Sequence, residues 1–134
     1  LAVAQKDGLI TPVIKRCVGK GILAIDAEMK ELIEKARNNK LSQEEYSGAG
    51  FTISNLGGFG IEEFTAIINP PGAAILAVGS IIKQPVATAD DTITLKNRMK
   101  CTLSCDHRVI DGVVGARFLA TLKQMLEDPV QALY

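Results

Sequence analysis

The sequence has no tryptophan, only four phenylalanines and two tyrosines, and a single histidine among 134 residues. So few aromatics leave little on which nucleobases could stack. Fifteen basic residues offset fifteen acidic ones, which removes the electrostatic reason to expect nucleic acid or an anionic membrane as partner. No run approaches the eighteen or so uninterrupted apolar residues of a membrane helix, and no basic leader with a short apolar core marks a secretory signal. The three cysteines, Cys17, Cys101 and Cys105, are odd in number and lack framework spacing, which fits a reducing compartment. Cys101 and Cys105 stand four apart on an expected strand, about 13 Å along an extended chain, beyond the roughly 7 Å between Cα atoms that a disulfide spans. They read as small packing residues and not as metal ligands, since a zinc site wants closer cysteine pairs or more histidine.

What is present is enough for one folded domain. With 47% hydrophobic and 22% charged residues the chain is neither a disordered tail nor a fibrous repeat, and its length can bury a core. The opening "LAVAQKDGLITPVIK" reads as a hairpin around the turn dipeptide Asp7-Gly8. In "KGILAIDAEMKELIEKARNNK", Ile22, Ile25, Met29, Leu32, Ile33 and Ala36 recur at helical spacing. Lys35, Arg37 and Lys40 suit the negative C-terminal end of that helix, and its apolar stripe is expected to face the core. Ser42 and Glu45 form a capping-box pair for a short helical turn. "FTISN" is a β run halted at "LGGFG", and "AAILAVGSI" is a continuous apolar run, as in a strand buried on both faces. "ATADDTITLKNRMKCTLSCD" reads as two strands hinged near Asn97. "DGVVGARFLATLKQMLEDP" is an amphipathic helix with Ala116, Leu119, Leu122 and Leu126 on one side and Pro129 beyond its end. The expected fold class is α/β, two layers, with helices packed on a mixed β-sheet.

The lone histidine lies in "SCDHRVIDGVVGARF". His107 falls where a strand ends and the last helix begins, with Asp111 in a good position to cap that helix. An imidazole there is either a satisfied structural residue or a general base, its commonest role near neutral pH. Ser54 ends a strand beside the glycine turn; it is either a turn or capping serine or a hydroxyl directed into open space. Ser47 and Ser80 do not supply a G-x-S-x-G nucleophile elbow. "LGGFG" lacks both the dinucleotide fingerprint and the Lys-Ser/Thr pair of a phosphate loop, so a tight turn with close backbone approach is expected. A metal site built on His107 and Asp111 would need further ligands, and no second histidine exists.

"DHRVIDG" resembles the D-H-R-x-x-D-G signature of the dihydrolipoyl acyltransferases, core components of 2-oxoacid dehydrogenase complexes, a family that shares a chloramphenicol-acetyltransferase-like fold. "DGLITPVI", "FTISNLGGFG", "INPPGAAILAVG" and "TLSCDHRVIDGVVGARFL" resemble family blocks in the family's order, spread over nearly the whole chain. The resemblance implies that residues 1–134 are the C-terminal part of the catalytic domain, the N-terminal half and the lipoyl and peripheral-subunit-binding domains being absent. The start inside a strand, without Met, agrees with a piece of a longer polypeptide or with processing.

The resemblance implies roles residue by residue. His107 would be the general base that takes a proton from the thiol of coenzyme A or dihydrolipoamide. Ser54 would donate to the oxyanion, and Asp111 would hold the site's architecture through an ion pair with an arginine in the absent half. Asp106 and Arg108 would shape the turn, with no chemistry assigned to either. The substrates would be coenzyme A and a lipoyl group attached to a separate domain. The partners would be further copies in a homotrimer assembling into a cubic or icosahedral core, with His107 and Ser54 of one site coming from neighbouring chains, and the pyruvate dehydrogenase and dihydrolipoyl dehydrogenase components. "FTISNLGGFGIEEFTAIINPP" is closer to the acetyl branch than to the succinyl branch, which usually reads Thr-Asn-Gly-Gly at residues 54–57. The alternatives are a succinyl or branched-chain acyltransferase, transfer to a small-molecule hydroxyl, and a non-catalytic core or binding component. The location would follow the complex: bacterial cytoplasm, or alternatively the mitochondrial matrix.

Overall fold

The computed structural model describes residues 1–5 and 8–132. Its first element is the expected hairpin: β1 (Val3–Gln5) and β2 (Gly8–Ile10) pair antiparallel, Val3 opposite Ile10 and Gln5 opposite Gly8. The Asp7 half of the expected turn lies outside the described residues, and Gly8 is the first residue of β2. The Ala2 N–H donates to the Ile53 carbonyl at 3.0 Å, which ties the hairpin to the central sheet.

Helix α1 (Ile22–Arg37) forms where the apolar periodicity places it, with Lys35 and Arg37 in its last turn. Lys35 binds Glu31 one turn back at 2.8 Å and reaches Glu45 at 2.9 Å. Glu45 belongs to the short 3-10 turn Gln43–Tyr46, where the expected capping box forms, the Ser42 N–H donating to Glu45 Oε2 at 2.8 Å. The core-facing stripe is only half realised: Leu32 and Ala36 are buried, whereas Ile22 is 58% exposed. Length explains the difference. Sixteen helical residues span about 24 Å, but α1 rests mainly on β1, whose three residues span about 10 Å.

The central sheet has the order β3 (Phe51–Asn55), β4 (Ala74–Val78) and β7 (Cys101–Cys105). β4 runs parallel to β3 and antiparallel to β7, so the sheet is mixed. As the middle strand β4 is covered on both faces, and Ala74, Ile75, Leu76 and Ala77 are all buried, which is why its sequence is an unbroken apolar run. A parallel pair needs a long crossover, and residues 56–73 supply it.

Between β4 and β7 a two-stranded hairpin is inserted, β5 (Ile82–Ala87) and β6 (Ile93–Arg98). The expected hinge near Asn97 is displaced: Asn97 pairs with Lys83 inside the ladder, and β6 ends only after Arg98. β5 carries Pro85, which is tolerated because this strand pairs on one side only. Helix α2 (Gly112–Glu127) forms the second layer on the main sheet. Gly115 lets it sit close: a Cβ there would lie 3.6 Å from Cys105 Sγ and 3.7 Å from a Leu103 methyl. Phe118 meets Phe51 with ring centroids 5.6 Å apart. Leu119 and Leu122 are half-buried, while Ala116 and Leu126, expected on the same side, are exposed. The result is the expected two-layer α/β arrangement of helices on a mixed sheet. All three cysteines are free.

Candidate functional site

His107 sits on a turn organised by its neighbour. The Asp106 N–H continues the β4–β7 ladder by donating to the Ala73 carbonyl at 2.8 Å, and the Asp106 carbonyl accepts the N–H groups of Val109 and Ile110, each at 3.0 Å. Its carboxylate closes the turn from the other side. Oδ1 accepts from the Arg108 N–H at 3.0 Å and from Arg108 Nε at 2.9 Å, while Oδ2 accepts from Nη2 at 2.6 Å. The Arg108 guanidinium, and then its backbone N–H, hold the Asp106 carboxyl down at about 2. His107 stands exposed between these two partners, and among the described residues nothing hydrogen-bonds its ring.

Asp111 follows as the N-cap of α2. Its Oδ1 accepts from the Val114 N–H at 2.9 Å, satisfying one of the open donors of the first turn. No cation pairs with Asp111 among the described residues; its visible work is to start the helix immediately after the histidine turn.

Ser54 lies at the fourth position of β3, half-buried, with no hydrogen-bond partner on its hydroxyl among the described residues. It is level with Ala77 and Thr102, so all three side chains share one face of the sheet. The glycine turn after it is fastened by close backbone contact, as "LGGFG" led us to expect. A Cβ at Gly57 would stand 2.7 Å from the Gly79 carbonyl oxygen, and one at Gly79 would stand 1.9 Å from that of Glu62. The Ser80 hydroxyl, 2.9 Å from the Gly57 carbonyl and 3.0 Å from that of Ile61, completes the knot. Pattern reading missed this supporting part for Ser80, which only the fold brings opposite Gly57.

One chain does not bring Ser54 and His107 together. Ser54 is level with Thr102, and the ladder runs four more positions to Asp106, about 13 Å of strand. His107 lies beyond that. The hydroxyl and the imidazole therefore occupy opposite ends of the same sheet. A cavity of about 560 Å³ between α1 and the Ser42–Glu45 turn touches neither of them.

Fold and turn together define a two-layer α/β domain that presents an imidazole at a strand end. The chain belongs to the 2-oxoacid dehydrogenases acyltransferase (catalytic domain) family, whose model matches residues 1–134. It is similar to the dihydrolipoyllysine-residue acetyltransferase component of the pyruvate dehydrogenase complex of Rickettsia felis, 50% identical over 133 residues, covering 99% of this chain and 32% of that protein. The mitochondrial counterpart from Schizosaccharomyces pombe is 50% identical over 135 residues, covering 99% of this chain and 28% of that one. Among solved structures, the dihydrolipoamide acetyltransferase of Azotobacter vinelandii superposes with a TM-score of 0.90 at 42% identity, covering 98% of this chain and 54% of that chain. The cubic core of a pyruvate dehydrogenase multienzyme complex gives the same values. The chain thus spans about a third of the curated relatives and about half of these solved chains. The Azotobacter structure was used to investigate the role in catalysis of a serine, a histidine and an asparagine, the asparagine standing four residues past the histidine. Asp111 stands at the same offset from His107.

Proposed function

We propose that this chain is the C-terminal part of an acyltransferase catalytic domain that moves an acetyl group between a dihydrolipoyl arm and coenzyme A. The observation that carries the reading is the single imidazole held out on a fastened turn with its ring unengaged. A thiol with a pKa near 8.5 is mostly protonated at neutral pH. His107 takes the proton as the sulfur attacks the thioester carbonyl, assistance typically worth about 10²–10⁴-fold. The carbonyl oxygen gains the negative charge, and the unpartnered Ser54 hydroxyl is the group available to donate to it. Collapse of the tetrahedral intermediate expels the second sulfur, which recovers its proton from the imidazolium. Coenzyme A and the lipoyl arm are both substrates in this scheme, and neither is a resident group.

The separation of Ser54 from His107 supports a site completed by a second copy, within a homotrimer that builds a larger core with the other components of a pyruvate dehydrogenase complex. The cubic core among the similar structures supports the same reading. Its location is that of the complex, bacterial cytoplasm or mitochondrial matrix; both bacterial and mitochondrial relatives occur. Asp111 serves the site as the cap that fixes the turn to α2. An asparagine at the same offset in the Azotobacter protein supports this, because asparagine caps a helix as well as aspartate does but carries no charge for an ion pair.

The test is acetyl transfer from acetyl-coenzyme A to dihydrolipoamide by the full-length protein, with succinyl-coenzyme A as the comparison. We expect a preference for acetyl and loss of at least about 10²-fold in His107→Ala. Unchanged turnover in His107→Ala would remove the base assignment, and absence of transfer by a correctly assembled wild type would make the chain a structural core component.

A further inference from the structure

The Asp106–Arg108 pair is costly for what it adds to stability. The Arg108 side chain is 89% exposed, against 25% for Asp106, and an exposed ion pair adds little to stability while fixing a long side chain costs conformational entropy. Yet the geometry is the strongest available to such a pair, two parallel N–H···O bonds between guanidinium and carboxylate. The same carboxylate oxygen that binds Nε also takes the Arg108 backbone N–H. The residues flanking His107 are thus joined to each other twice, once through backbone and once through side chain, and the peptide that carries the imidazole is the one enclosed.

We infer that Asp106 and Arg108 are positioning residues for His107, a fork that fixes the direction in which the exposed imidazole leaves the turn. The inference rests on His107 being the base. An unengaged ring on a loose turn would spend most of its time away from the thiol, and a misplacement of about 1 Å can cost on the order of 10²-fold in rate.

The experiment uses the full-length protein carrying Asp106→Asn, Arg108→Gln or Arg108→Lys, each alone and in the His107→Ala background. We expect Asp106→Asn and Arg108→Gln to lower kcat about tenfold or more, with KM for either thiol changed less than about threefold. Arg108→Lys, which keeps the charge and loses the fork, should be impaired nearly as much as Arg108→Gln. In the His107→Ala background none should lower the residual rate further. Wild-type kcat in Asp106→Asn and Arg108→Gln would overturn the inference, as would an equal loss with and without His107. If Asp106→Asn fails to assemble, Arg108→Gln carries the test, because it leaves every backbone bond of the turn in place. Wild-type turnover in His107→Ala is a different failure, that of the base assignment itself.

Discussion

At the scale of single residues the proposed chemistry divides between a proton acceptor, His107, and a hydrogen-bond donor, Ser54. If Ser54 serves the oxyanion, Ser54→Ala should lower kcat by about 10²-fold, the usual effect of removing one such donor, and leave KM for both substrates nearly unchanged. A defect confined to KM, read from initial rates over a range of each substrate, would place Ser54 in substrate binding instead. Asp106 offers a test independent of activity. Its carboxyl is held at about 2 by Arg108, below the ordinary value near 3.9. The pair's contribution to the turn is therefore complete above the ordinary carboxylate range and lost as pH falls from there towards about 2. Carboxyl chemical shifts followed by NMR should give this value in the wild type and one nearer the ordinary range in Arg108→Gln. His107, Asp111 and the turn between them were legible in the sequence because the motif is local: seven residues, Cys105 to Asp111, contain the strand end, the fork and the cap. The part played by Ser80 was not, since its partners are 23 and 19 residues away in the chain.

At the scale of elements, the end of β3 depends on the crossover pressing against β4. Gly79 cannot accept a side chain without moving the Glu62 backbone, and overpacking against main chain costs about 1–3 kcal/mol. Gly79→Ala should therefore lower the thermal midpoint by several degrees, and because Gly79 lies against Gly57 it should also lower kcat. Differential scanning calorimetry beside the transfer assay would show both, and an unchanged midpoint would mean that the crossover is slack. Periodicity found both helices and the buried middle strand, where residue type follows burial directly. It missed β5, whose Pro85 reads as a strand breaker until a one-sided pairing is seen. It misjudged the N-terminal half of α1 for another reason. A stripe states which face of a helix wants cover, but nothing about how far the covering element reaches.

At the scale of the whole molecule, the described chain leaves much apolar surface open, including Val18, Leu23, Ile67 and Ile93, each more than three-quarters exposed. Where such residues join into one contiguous patch, they mark contacts with other chains or segments. The placement of Ser54 and His107 at opposite ends of one sheet adds a demand of its own, because a site needing both must draw them from different copies. Full-length His107→Ala and Ser54→Ala proteins, each strongly impaired alone, should regain part of the transfer rate when unfolded and reassembled together; no recovery in co-assembled particles would mean that each chain completes its own site. The same placement has a genetic reading. If sites are shared between copies in this way, two recessive lesions in this gene, one at each of these residues and one in each allele, would complement each other inside a single particle, and inheritance would count them as two functions although one gene encodes both.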